Sequence, residues 1–273
     1  MSVDYRDEAE AGRMLGVISR LTPLFIAMSA FSPYQNGISS GFLSYRSHIW
    51  TRTDPKRCGL PECFFYSGNV YRNYRDYALE VPMLFELESS GIRKSEGKTF
   101  EEWCHSGCLN QTETMKAWKT HLTCLFPEVR MKNYLEVRSF DALPGINAFG
   151  VATLLKNILY DDTVFNRIQN ELSRISRIDA VAGSESAARF GMNGYYADRQ
   201  IQEWVTWLFK AASEGGANLA GKNAKHGDDD AYLCELFKNV AVSKRTFAEK
   251  LIEACKTTPL NRAVTREPFG FSF

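Results

Sequence analysis

The chain of 273 residues reads as an α+β protein, and three observations carry that reading. Strand-like and loop-like patterns crowd the stretch up to about residue 145. Helical periodicity takes over beyond it. The two kinds of pattern do not alternate along the chain, as they would in an α/β protein. The order sets an expected division into 1–145, a partial sheet with a leading helix, and 146–273, helices packed on it. A hydrophobic content of 44% over this length allows one large domain or two small ones, each with a core of useful size.

The leading helix is DEAEAGRMLGVISRLTPLFIAMSAF, residues 7–31, with an acidic start and apolar spacing near 3.6. SPYQNGISSG, 32–41, is a loop by its Pro, Asn, Gly and Ser content, and GFLSYRSHIW, 41–50, follows as a strand. TRTDPKRCGLPE, 51–62, is a second loop. NVYRNYRDYALEVPMLFEL, 69–87, joins a tyrosine-rich helix to a short strand at MLFEL. In TFEEWCHSG, 99–107, Thr99 and Glu102 have the capping-box spacing. Residues 114–145 run from a helix through a Pro-marked loop into a second strand, LEVRSFD at 135–141. Helices are expected at 146–162 and 197–213, a polar linker at 214–230, and two short helices to the end.

A formal charge of +1 supplies no field that would recruit nucleic acid or an anionic membrane. The start, MSVDYRDEAEAGR, has no apolar core of the kind a secretory signal needs. LTPLFIAMSAF is too short to span a bilayer and reads as part of a buried helix. A cytoplasmic location is the expectation. Seven cysteines in a chain of this composition are expected to be reduced thiols rather than a disulfide scaffold. CHSGC, 104–108, has loose spacing and no second Cys/His pair at zinc-finger distance, so a structural zinc is not expected.

The two strands carry charge where a half-buried strand usually carries apolar groups. Strand faces alternate with period two. In GFLSYRSHIW one face then holds Phe42, Ser44, Arg46, His48 and Trp50. In LEVRSFD one face holds Glu136, Arg138 and Phe140, against Leu135, Val137 and Ser139. Were both polar faces to line one cavity, it would hold two guanidiniums, an imidazole and a carboxylate. Arginine grips carboxylate or phosphate in a bidentate fork, and glutamate can hold a divalent metal through oxygen. The set suits metal-assisted phosphoryl or acyl-phosphate chemistry. The same residues equally suit an ion pair on an exposed sheet face, with a surface histidine and a core tryptophan. No P-loop, dinucleotide fingerprint or nucleophile elbow is present.

FSPYQNGISSGFLSYRSHIWTRTDPKRCG, 31–59, resembles a segment of the plant and proteobacterial glutamate–cysteine ligases of the form S-P-x-x-x-G-x-x-x-G-[FY]-x-S-x-R-S-x-I-W-x-x-T-D. DYALEVPMLF, 76–85, and HLTCLFPEVRMKNYLEVRSFDALPG, 121–145, match in order and spacing. The resemblance implies a fold similar to glutamine synthetase, a curved antiparallel sheet, incomplete here, packed with helices. It implies ATP and Mg2+ as cofactors and the joining of glutamate to cysteine, the first step of glutathione biosynthesis. Glu136 would be a metal ligand. Arg138 and Arg46 would be catalytic, anion-gripping residues. Arg46, His48, Trp50 and Arg138 would line the substrate site.

The resemblance also implies a glutamate-rich G-T-E-x-E-K strand, and nothing like it occurs in this chain. The sequence therefore reads as the C-terminal portion of such a ligase. The expected partners are glutamate, cysteine and ATP, with a further chain supplying the other half. The competing expectation is a catalytically incompetent amino-acid-binding paralogue or a subunit of a split ligase.

Overall fold

A computed structural model of the chain describes residues 1–88, 91–106, 110–143, 145–220 and 243–264, together with Cys234, Phe237 and Lys238. Strand β1 (Ser2–Val3) leads into α1 (Glu8–Ser29), whose first turn carries Glu8 and Glu10 against the positive end of the helix dipole. Strands β2 (Tyr34–Gln35) and β3 (Ile38–Ser39) form a hairpin. Asn36 and Gly37 take φ of 51° and 80° between them, the backbone a tight hairpin turn needs. Helix α2 (Tyr45–Thr51), β4 (Cys58–Gly59), α3 (Val70–Glu80), β5 (Phe85–Glu88) and β6 (Gly91–Lys94) follow. Helices α4 (Phe100–Ser106) and α5 (Gln111–Thr123) precede β7 (Phe126–Pro127), β8 (Val129–Met131) and β9 (Leu135–Val137). After them come α6 (Asn147–Leu159), α7 (Asp162–Leu172), α8 (Arg177–Phe190), β10 (Tyr195–Tyr196), β11 (Arg199–Gln200), α9 (Ile201–Ala220), α10 (Phe247–Cys255) and α11 (Leu260–Ala263).

The helix starts are encoded locally. The Thr99 amide donates to Glu102 Oε2 at 2.8 Å and the Glu102 amide to Thr99 Oγ1 at 3.1 Å, the reciprocal box its spacing predicts. Asn110 with Glu113, Ser176 with Asp179 and Thr246 with Glu249 build the same device.

The chain forms two compact units, one of Met1, Val17–Ile49 and Ser139–Phe273, the other of Ser2–Gly16 and Trp50–Arg138. The first is helical. Phe25 of α1 stacks on Phe140 with ring centroids 4.7 Å apart. Helices α6 and α9 approach so closely that a Cβ on Gly215 would sit 2.1 Å from the Asn157 carbonyl oxygen. Trp204 is fully buried and donates its indole N–H to the Tyr196 carbonyl at 3.0 Å, which satisfies its polar atom in the core.

The second unit holds a three-stranded antiparallel sheet in the order β1-β9-β8, with Ser2 and Arg130 both opposite Glu136. Val3, Val129, Met131, Leu135 and Val137 are buried on its apolar side, while Arg130 and Glu136 stand on the other. Below 9% exposure, Met83, Phe100, Trp103 and Ala117 form a smaller core among α3, α4 and α5, and Leu79 and Trp118 close over it. Arg57, 4% exposed, donates to Asp54 Oδ2 at 2.7 Å and to the carbonyls of Cys124 and Pro82 at 3.1 and 2.7 Å. That buried guanidinium pins the loop predicted at 51–62.

Mixed helices and small sheets agree with the α+β class. One assignment changes outright. The segment 41–50, expected as a strand, forms α2 from Tyr45. Its backbone has other partners: the amides of Leu43 and Ser44 both donate to the Ala188 carbonyl, at 2.8 and 2.9 Å, and the Tyr45 amide to the Ser32 carbonyl at 3.0 Å. Ser44 then starts the turn, with the Ser47 amide 3.3 Å from its hydroxyl. The linker expected at 214–230 is helical as far as Ala220, because α9 continues through it, and 221–230 lies outside the described residues. Most of the short helix expected at 230–242 lies outside them too. Helix α1 is long and apolar enough to cross a membrane by length and composition, but 78% of its apolar window is buried in the fold, as expected of a core helix. The described cysteines Cys58, Cys63, Cys104, Cys124, Cys234 and Cys255 are free thiols.

Candidate functional site

Strand β9 places Glu136, and Arg138 just past its end, on one side of the sheet, as period-two alternation requires. The pair is joined at 3.0 Å, Arg138 Nη1 to Glu136 Oε1. Across the hairpin, Arg130 forks onto the same carboxylate, with Nη2 2.8 Å and Nε 3.1 Å from Oε2. Lys132 Nζ lies 3.1 Å from Oε2. The side chains of Arg130, Glu136 and Arg138 are 13%, 20% and 20% exposed, so the cluster is half-buried but reachable from solvent. Burial alone would raise the Glu136 carboxyl. The hydrogen bonds and charges of Arg130, Lys132 and Arg138 override it and bring the pKa down to about 2.

Aromatic rings complete the setting. The Arg138 guanidinium carbon lies 5.9 Å from the Trp50 ring centre and 5.6 Å from that of Phe126, and the two rings are 5.7 Å apart. Cation–π attraction to both rings limits where the guanidinium can swing. Trp50 thus packs beside Arg138 and Phe126.

Arg130, Lys132 and Arg138 outnumber the Glu136 carboxylate, and Glu128, opposite Arg138 across the hairpin, adds a second acidic residue to the same face. The excess of cations favours an anion over a divalent cation. Both Glu136 oxygens already accept hydrogen bonds from cationic donors, and no group of three or more His, Cys, Asp or Glu among the described residues could hold a metal. The metal role expected of Glu136 does not fit this donor set. What Glu136 does in the fold is hold Arg130 and Arg138 in place.

Arg46 and His48 belong to the first unit, and Trp50, Glu136 and Arg138 to the second. On a helix, residues two apart lie about 200° apart, so Arg46 and His48 do not share the face a strand would give them. The His48 ring stacks on Phe42 at 4.0 Å between centroids, and the Arg189 guanidinium lies 4.7 Å above that same Phe42 ring. His48 is thus one layer of a stacked column. Arg46 is half-buried, and its amide donates to Ser32 Oγ at 3.0 Å.

Arg130, Lys132 and Phe126 were not singled out in the sequence. Their signal is there: in EVRMK, Arg130 and Lys132 alternate with the buried Val129 and Met131, which puts both cations on the face of Glu136 once the hairpin closes.

Comparison with known proteins bears on the same stretches. A protein-family model, Glutamate-cysteine ligase family 2, matches residues 1–263. The chain belongs to this family. It is 36% identical to the chloroplastic glutamate–cysteine ligase of Arabidopsis thaliana over 256 residues, 93% of this chain and 48% of that protein. With that of Nicotiana tabacum it shares 30% over 256 residues, with the same coverage. With that of Brassica juncea it shares 35% over 171 residues, 62% of this chain and 33% of that one. The chain spans about half the length, or less, of the curated relatives it matches. Those relatives are named chloroplastic, which overturns the expectation of a cytoplasmic protein drawn from the absence of an apolar signal.

Proposed function

We propose that this chain is the C-terminal, anion-binding portion of an ATP-dependent glutamate–cysteine ligase that makes γ-glutamylcysteine for glutathione synthesis. The observation that carries the reading is the cluster of Arg130, Lys132 and Arg138 held by Glu136 on the family's L-E-x-R strand. In the reaction, a γ-carboxylate oxygen of glutamate bonds to the terminal phosphorus of ATP and ADP leaves. The cysteine amine then attacks the acyl carbon, the C–N bond forms, the C–O bond breaks, and phosphate departs as the amine loses a proton.

Both steps spread negative charge over phosphoryl oxygens. The part assigned to Arg138 and Arg130 is to stabilise that charge from fixed positions. Trp50 and Phe126 keep Arg138 from collapsing onto solvent. Glu136 keeps the two guanidiniums from separating under mutual repulsion. Arg46 is assigned a second anion contact, to a carboxylate of glutamate. The small sheet β1-β9-β8 is read as part of a glutamine synthetase-like curved sheet. The Glu136 oxygens are committed to Arg130 and Arg138 and offer Mg2+ no free ligand.

The test is product mass with ADP and phosphate release from glutamate, cysteine, ATP and Mg2+, run beside calorimetric binding of glutamate. Arg138→Ala and Arg130→Ala are expected to lower product formation by about a hundredfold or more. Should the chain alone form no product, both variants are expected to lose glutamate or phosphate binding that the parent retains. Full activity or full binding in both variants overturns the reading.

A further inference from the structure

Helix α2, which carries Arg46 and His48, has seven residues, well below the roughly 12–15 that an isolated helix needs to be even marginally stable. Its placement must come from outside it, and within the first unit one buried carboxylate contributes to it beside the Ala188 and Ser32 carbonyls. Asp141 is 5% exposed. Its Oδ2 accepts from the Phe31 amide at 2.9 Å and from Ser32 Oγ at 2.6 Å, and its Oδ1 accepts from Ser44 Oγ at 2.6 Å. Its own amide donates to Ser29 Oγ at 3.0 Å.

A carboxylate only accepts, so Ser32 gives it its single hydroxyl proton, and Ser44 Oγ, which also lies 2.9 Å from Ser47 Oγ, points its proton toward the same carboxylate. That fixes the direction of their lone pairs. The Ser32 oxygen then accepts the Arg46 amide at 3.0 Å, and the Ser44 oxygen accepts the Ser47 amide at 3.3 Å. One negative charge orients two hydroxyls, and the two hydroxyls hold two successive amides at the start of the helix. An amide in place of the carboxylate would keep the shape and reverse one of these bonds.

We propose that Asp141 is a positioning residue for Arg46, acting through Ser32 and Ser44, and that it thereby sets the affinity for the carboxylate Arg46 grips. The inference rests on the anion role of Arg46 given under the proposed function. It assigns the aspartate of LEVRSFD a part in the site although it touches no substrate in this scheme.

The test uses the full chain with Asp141→Asn, Arg46→Ala and the double variant. Glutamate affinity is read by calorimetry, and hydrogen exchange is read at the amides of residues 45–47. Asp141→Asn is expected to weaken glutamate binding by about tenfold, as the loss of a hydrogen bond to a charged group does, and to add nothing once Arg46 is Ala. The Arg46 and Ser47 amides are expected to exchange faster. A loss that carries undiminished into the Arg46→Ala background, or exchange unchanged from the parent, overturns the inference. Ser44→Ala, which spares the carboxylate, is expected to show the same pattern more weakly and serves if Asp141→Asn does not fold. Parent-like affinity in Arg46→Ala alone, or no glutamate binding by the parent, removes the role of Arg46 itself. In that case the functional half of the inference falls, and exchange still decides whether Asp141 holds the helix.

Discussion

Glu136 stabilises the fold through the same contacts that arrange the cations around it. A carboxyl held at about 2 instead of its ordinary 4.5 favours the folded state at neutral pH, where it is ionised. The contribution is fully present above 4.5 and is lost as pH falls toward 2, because the folded chain must then take up the proton as well. Glu136→Gln is expected to destabilise the fold by about 1.5–3 kcal/mol at neutral pH, the range for hydrogen bonds to charged groups. The deficit should shrink through the acid range and vanish near the low end of that window. Thermal unfolding of both proteins across pH measures it, and a constant difference at every pH would show that the guanidinium contacts are not its source. Arg138 and Glu136 were legible in the sequence because period two survives translation into a real strand. Asp141 was not, since no periodicity marks a buried acceptor whose donors sit about a hundred residues upstream.

The scale of whole elements shows where local pattern stops deciding. Thr99 with Glu102, and the alternation of Leu135, Glu136 and Val137, are set by neighbours in sequence and appear as the sequence predicts. The segment 41–50 reads as a strand, yet the Ala188 carbonyl takes the amides of Leu43 and Ser44, and the Ser32 carbonyl that of Tyr45, into a turn instead. A helix so short takes its state from such distant partners. At the crossing of α6 and α9 the deciding feature is a missing atom. Gly215 lets the helix backbones meet, and a methyl there would lie 2.1 Å from a backbone oxygen that no rotamer can move. Gly215→Ala, which would raise helix propensity on an open surface, is expected here to cost about 1–3 kcal/mol through overpacking. Chemical denaturation measures it, and a gain in stability would mean the helices can slide apart at no cost.

For the whole molecule, the order of patterns along the chain gave the class correctly and the small extent of the sheet poorly, because sheet extent depends on pairings between remote segments. The positive cluster was only half legible for a related reason: Arg130 meets Glu136 through a hairpin register, not through spacing. The backbone also passes between the two units repeatedly, after Met1, Gly16, Ile49 and Arg138. A fragment holding only 139–273 keeps Phe140 and Asp141 but lacks Phe25, Ser32 and Ser44, their partners within the same unit. It is expected to show no cooperative thermal transition, and a transition as sharp as that of the full chain would refute this. Any single break between residues 17 and 138 parts segments of both units at once. A crossover anywhere in that interval therefore makes a chimera of both units at once.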